Sequence, residues 1–207
     1  DQSQGFKGGG VAIVPLDLQG VSKGKAIDKI GQRPLNQGEI FFDEVRIPVS
    51  HMVMGTEAYG FVLETVLTMA NAMMGATFTG VARAALEYAI DYAKERVQFG
   101  RPIGSFQAIK HKCADMMVEV ESARSASYYA GWAAAEGAED LPVAAALAKA
   151  FCSDTYFRCA AESLQIHGGV GFSWEYDVHL YFKRAKSTES FLGDAAYHRE
   201  RVAQHIL

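Results

Sequence analysis

The sequence predicts a mainly α fold, an antiparallel helical bundle preceded by a short β region. Three observations lead there. Apolar residues recur at helical spacing from about residue 57 onward, strand-like runs are confined to the residues before it, and the connections between helical stretches are short.

The β region comes first. Val11-Ala12-Ile13-Val14 is an apolar run closed by Pro15, and Glu39 to Ile47 is rich in aromatic and β-branched residues; Gly-rich turns lie between them. Pro48 then breaks the strand pattern. These features divide the chain into residues 1–55, a β part, and residues 56–207, a helical part.

In the helical part, Val62, Val66, Met69 and Met73, then Val81, Ala85, Tyr88 and Tyr92, mark one long helix running to about Gln98, with Gly100 and Pro102 stopping it. Ser105 is placed to cap a second helix, in which Ile109, Cys113, Met117 and Val120 recur at steps of three and four and Gly137 lies near the end. Asp140 followed by Pro142 starts a third, whose face carries Ala148, Cys152, Thr155 and Cys159 and which stops before Gly168-Gly169. A shorter segment, Asp177 to Lys186, leads to a final helix beginning near Asp194. The runs Ala133-Ala134-Ala135 and Ala144-Ala145-Ala146 permit close helix approach.

Composition narrows the function classes. With 207 residues and 49% hydrophobic content, the chain can bury a sizeable core. A net charge of -4 supplies no basic field for nucleic acid. No apolar run looks long enough to span a bilayer, so no membrane span is expected. Cys113, Cys152 and Cys159 are odd in number and lack C-x-x-C spacing, which predicts reduced, buried thiols in an intracellular compartment and no metal site. No signal peptide is visible. The chain does not open on Met and its strand pattern starts almost at once, so a piece of a longer protein is expected.

Two motifs carry the chemistry. Arg96-Val97-Gln98-Phe99-Gly100-Arg101-Pro102-Ile103, followed by Gln107, lies where one helix ends and the next begins; Gln165-Ile166-His167-Gly168-Gly169-Val170-Gly171-Phe172 lies at the end of the third. A guanidinium, two amides and glycine N–H groups at helix ends suit a phosphate-bearing cofactor. Arg96 alone could be a cation at a helix C-terminus, where the macrodipole favours it, and Gly168-Gly169 alone could be a C-cap. Phe99 and Gln107 in register with Arg96, and Gln165 before the glycines, favour the cofactor. His167 reads as a packed or capping histidine. Met69, Met73 and Met74 read as core filling, with an acyl pocket as the alternative.

In this order and separation the two motifs resemble the C-terminal half of an acyl-CoA dehydrogenase. Gly20-Val21-Ser22, Asp28-Lys29-Ile30-Gly31-Gln32-Arg33 and Phe42-Asp43-Glu44-Val45-Arg46-Ile47-Pro48 also follow that family's pattern, so the resemblance covers essentially the whole chain. It implies that residues 1–55 are the last strands of a middle β-barrel domain and residues 56–207 the C-terminal helical bundle. Arg96, Phe99, Gln107, Gln165, Gly168 and Gly169 would hold the adenosine and pyrophosphate end of FAD across a subunit interface. The implied reaction is α,β-dehydrogenation of an acyl-CoA to the enoyl-CoA, with a homo- or hetero-tetramer, an electron-transferring flavoprotein as partner, and a bacterial cytoplasmic or mitochondrial matrix location. The family's Trp-x-x-Thr/Ser segment and N-terminal helical domain are not in the sequence, which predicts weak FAD binding by these residues alone.

One departure stands out. Counting back from Arg199-Glu200-Arg201-Val202-Ala203 places the family's Tyr-Glu-Gly-Thr motif on Phe191-Leu192-Gly193-Asp194, so the usual base is Leu192. The family's second location for a Glu aligns with Ala70, beside Asn71. Asp194 is a candidate base, though an Asp at a helix start is most often a cap; Glu189 and Glu64 are further candidates. The remaining explanations are a base from an N-terminal part of a fuller chain, or a non-catalytic paralogue pairing with an active subunit.

Overall fold

The computed structural model describes residue 3 and residues 8–207. They fall into two compact units, the described residues of Asp1–Lys29 with Arg33–Leu67, and Ile30–Gln32 with Thr68–Leu207.

The first unit holds two antiparallel strand pairs. Strand β1 (Val11–Ala12) pairs with β4 (Met52–Met54), and β2 (Val21–Ala26) with β3 (Gly38–Phe42). The aromatic run therefore pairs over Gly38–Phe42 and stops short of Ile47: Glu44 takes a left-handed φ of 46° and Pro48 leads into a 3-10 turn at Val49–His51. At Gly20, φ is 88° and a Cβ would stand 2.2 Å from the Asp43 carbonyl, so only glycine lets β2 start beside the end of β3.

Helix α1 spans Thr56–Glu95, α2 Gln107–Glu136, α3 Leu141–His167, α4 Val178–Thr188 and α5 Ala195–Ile206. A two-residue hairpin, β5 (Val97–Gln98) with β6 (Arg101–Pro102), separates α1 from α2. The expected end of α1 near Gln98 is therefore three residues late. Phe99 and Gly100 both adopt positive φ, 55° and 78°, which is the primed-turn geometry that closes a tight hairpin.

In the second unit α1 and α3 run parallel, with Gly75 against Ala148, Thr79 donating to the Cys152 sulfur at 3.4 Å, and Tyr92 against His167. Helix α2 runs antiparallel to α3, the thiol of Cys152 reaching the Ala123 carbonyl and that of Cys159 the Met116 carbonyl. Phe78, Leu86, Met116, Val120 and Tyr156 fill the shared core, each large apolar side chain contributing about 1.5–3 kcal/mol. A second cluster of alanines, Ala72, Ala130, Ala133, Ala144, Ala145 and Ala148, brings the three backbones close together. The buried face of α1 is thus set by Asn71, Ala72, Gly75, Phe78 and Thr79 rather than by Met69 and Met73, which are exposed. Small residues win that face because a Cβ at Gly75 would already lie 3.2 Å from the Ala148 methyl.

The α3 face of Ala148, Cys152, Thr155 and Cys159 is buried as expected. Burial pushes the Cys159 thiol up to about 12, so it is inert at neutral pH. The end of α2 is a Schellman turn: Gly137 has φ 63° and the Ala138 N–H returns to the Ala133 carbonyl. The expected Ser105 cap is not made: Ser105 ends a 3-10 turn with its hydroxyl buried and unpartnered, leaving Phe106 at the N-cap. Asp140 precedes α3 as expected, its carboxylate accepting from the Tyr129 hydroxyl. A correction applies to the membrane expectation too: by length and apolarity alone α1 is long enough to cross a bilayer. Its buried face packs on α2 and α3 as a core helix does.

Candidate functional site

The first motif begins where α1 stops. The Arg96 N–H still closes a helical bond to Tyr92 at 2.9 Å, while its carbonyl accepts from Ile103 at 2.8 Å, so the hairpin is pinned to the helix end at both strands. Gly104 brings the returning chain against α1, since a Cβ there would sit 2.8 Å from the Ala93 carbonyl. The turn projects the Phe99 ring outward at 92% exposure, with its edge on Phe106, and the Arg101 guanidinium lies 4.2 Å over that same Phe106 ring. Gln107 is the first residue of α2, its side chain exposed and 3.3 Å from the His111 imidazole. Among the described residues neither Arg96 nor Arg101 has a carboxylate partner.

The second motif ends α3. Gly168 has φ 63° and ψ −140°, a combination open to glycine, and its N–H returns to the carbonyls of Leu164 and Gln165. Gln165 and Gly169 are exposed. A Cβ added at Gly100, Gly168 or Gly169 would meet nothing within 4 Å, so the backbone at all three is open to an approaching ligand.

An aromatic stack brings the two helix ends together. The His167 ring lies on Tyr92 at 4.2 Å and Tyr88 at 5.0 Å, with Tyr176 edge-on at 5.8 Å. His167 is therefore packed, as its neighbours on the sequence suggest, and burial holds its pKa below the ordinary histidine value. An unpaired guanidinium and two exposed amides, beside glycine backbone that leaves room for close approach, suit an anionic dinucleotide such as FAD. The residues present fit that group.

The base position has a different character. Leu192 sits in the left-handed region at φ 59°, followed by Gly193 at φ 98°. His198, fully buried, holds the Leu192 carbonyl at 2.9 Å, and the Lys149 ammonium, also fully buried, donates to the Gly193 carbonyl at 2.8 Å. Asp194 accepts from the Tyr197 N–H at 2.8 Å and so caps α5. Glu189 pairs with Lys186 at 2.6 Å, and Glu64 lies on the part of α1 that belongs to the first unit. Ala70 carries no proton acceptor, and Asn71 is buried with its amide oxygen unpartnered. Sequence reasoning missed Lys149 and His198. For Lys149 a signal existed: it is a lone cation in the alanine-rich apolar run of α3.

Comparison with known proteins gives a consistent result. The acyl-CoA dehydrogenase C-terminal domain family matches residues 60–207. A short-chain-specific acyl-CoA dehydrogenase of Megasphaera elsdenii is 37% identical over 195 residues, covering 93% of this chain and 50% of that protein. The solved butyryl-CoA dehydrogenase of the same organism superposes with a TM-score of 0.90 at 35% identity, over 100% of this chain and 54% of the other. A structure from work on the electron transferring flavoprotein of Acidaminococcus fermentans and flavin-based electron bifurcation also scores 0.90, at 33% identity, over 100% of this chain and 54% of that one. The chain spans about half the length of the Megasphaera elsdenii and Bacillus subtilis relatives it matches. It belongs to the acyl-CoA dehydrogenase family.

Proposed function

We propose that the chain is the C-terminal portion of an FAD-dependent acyl-CoA dehydrogenase, with residues 1–55 closing the middle β-domain and residues 56–207 forming the C-terminal helical domain. The observation that carries the reading is the stacked pair His167–Tyr92, which joins the ends of α1 and α3 and so presents Arg96, Phe99, Gln107, Gln165, Gly168 and Gly169 from one body. In this reading Arg96 neutralises diphosphate charge, the two amides hydrogen-bond the adenosine or ribityl edges, and the glycines give backbone access. FAD, when bound, supplies the hydride acceptor; the protein aligns the acyl-CoA and excludes water. Substrate, electron-transferring flavoprotein partner, homo- or hetero-tetrameric assembly through the bundle and a cytoplasmic location belong to the same proposal. The bacterial sources of the relatives and the flavoprotein work on one neighbour support it.

A second reading is favoured by one residue. Leu192 cannot accept a proton, Asp194 is engaged as a cap and Glu189 is paired, which leaves removal of the α-proton to Glu64 or to a carboxylate from elsewhere. On that basis the chain acts as a non-catalytic subunit that completes the FAD site of an active partner. Anaerobic titration of the FAD-loaded protein with a panel of acyl-CoA thioesters separates the two. Bleaching of the flavin by the protein alone supports the dehydrogenase, and bleaching only after an active partner subunit is added supports the completing subunit. Absence of FAD binding in every combination contradicts both.

A further inference from the structure

His167 belongs to the second cofactor motif and reaches the first through Tyr92. Its own C-terminal neighbour is Gly168, and its ring stacks on Tyr92, whose carbonyl receives the Arg96 N–H. The Tyr92 hydroxyl reaches back 3.5 Å to the His167 carbonyl, so each residue contacts the other twice. Gly171 packs close to the start of the same side chain, where a Cβ would stand 3.2 Å from the His167 Cβ and 3.0 Å from the Leu164 carbonyl.

The protonation state of this ring is defined by its partners. Nδ1 lies 2.7 Å from the Ser163 carbonyl, which can only accept, so Nδ1 carries the hydrogen. Nε2 is then a lone-pair acceptor, and it is buried without a partner, as is the Ser163 hydroxyl one turn earlier. The groups facing the ring are Tyr88 and Tyr92 from α1, Ser163 from its own helix and Tyr176 from the segment before α4. No carboxylate is among them. A proton added at Nε2 would place a cation in a tyrosine-lined interior with no counter-charge, and the ring must move to hydrate it.

From this geometry we infer that His167 is a positioning residue whose neutral imidazole locks the Arg96–Gly100 hairpin to the Gly168–Gly169 turn, and that its protonation uncouples the two halves of the dinucleotide cradle. The inference rests on the FAD reading for its consequence but not for its NMR test. Burial alone already holds the His167 pKa below the ordinary value, so the lock is closed at neutral pH and opens on acidification. One pH unit below the His167 midpoint about nine-tenths of the molecules are protonated, and apparent FAD affinity falls about tenfold.

Two measurements on the whole protein test it. In the FAD-free protein, backbone amide NMR across an acid titration should show Phe99 and Gly100 shifting with the same midpoint as Gly168 and Gly169, and the hairpin response should vanish in His167→Phe. Tyr92→Leu, which keeps His167 but removes the stack, should leave the Gly168 shift and abolish the one at Phe99. Hairpin amides that ignore pH while Gly168 titrates, or that titrate unchanged in both variants, would overturn the lock. Independently, FAD titration by fluorescence should weaken about tenfold over that pH step in the wild type and stay flat in His167→Phe. If no protein binds FAD at any pH, the cofactor reading fails while the NMR result still decides the coupling.

Discussion

The buried ammonium of Lys149 donates a 2.8 Å hydrogen bond to the carbonyl of Gly193, reaching from the middle of α3 to the turn that precedes α5. The same ammonium lies 5.2 Å from the centre of the Phe78 ring, and the neighbouring carbonyl of Leu192 is taken by His198. Two consecutive left-handed residues are thus held from two helices. A turn with that much support keeps residue 192 in one place whatever its side chain.

Disturbing the turn should cost stability. Gly193→Ala puts a Cβ 2.5 Å from the Tyr197 ring and 2.9 Å from the His198 imidazole at a φ of 98°, so a loss of about 1–3 kcal/mol is expected in urea unfolding. Lys149→Met leaves the Gly193 carbonyl without its donor and should cost about 1–3 kcal/mol. Unchanged midpoints in both variants would show that the turn is not held as described.

Acid should destabilise the fold through two histidines. Burial, first among the causes, lowers the pKa of both His167 and His198 below 6.5. Between the folded value and 6.5 the unfolded chain holds more protons, so stability rises with pH across that window and is fully present above it. His198→Gln retains an amide donor for the Leu192 carbonyl but does not titrate. Its stability curve between about pH 5 and 7 should therefore be flatter than that of the wild type, as read by thermal midpoints. An equally steep curve would remove His198 from the account.

Alkali should act in the opposite sense from the usual lysine. Burial lowers the Lys149 pKa below 10.5, so its charge is a penalty at neutral pH that is relieved as pH rises through the folded value toward 10.5. The stability difference between wild type and Lys149→Met should then shift in favour of the wild type as pH rises. A difference independent of pH would mean that the ammonium is better solvated than its surroundings imply.

Leu192→Glu tests the missing base. The backbone at residue 192 is already left-handed and half-buried, and exchanging leucine for glutamate there should change stability by no more than about 1 kcal/mol. In FAD-loaded protein the glutamate should confer bleaching of the flavin by an acyl-CoA that the leucine form lacks, seen as loss of the visible flavin band. A flavin that stays oxidised in the variant would place the base position elsewhere.

The helices were legible because their signals are local. The 3.6-residue period, Gly137 after α2 and Pro142 within the first turn of α3 each act through the chain's own neighbours. The face of α1 was misjudged because Met69 and Met73 are more hydrophobic than Gly75 and Ala72, yet close approach to Ala148 selects small size over hydrophobicity. Of the candidate site, Arg96, Phe99 and Gln107 are proposed from their likeness to the family's motif, whereas the Tyr92–His167 stack and the Lys149–Gly193 bond link residues 75 and 44 positions apart, and only packing brings those together.

The central claim is that Arg96 and its hairpin hold the diphosphate of FAD, and the most direct measurement is FAD affinity set beside stability in Arg96→Ala and Phe99→Ala. Both side chains are exposed, so unfolding midpoints should move by no more than about 0.5 kcal/mol. FAD affinity should fall about 10- to 150-fold in Arg96→Ala, the equivalent of one charge-assisted contact of about 1.5–3 kcal/mol. Equal FAD affinity in wild type and Arg96→Ala, with both folded, would contradict the claim.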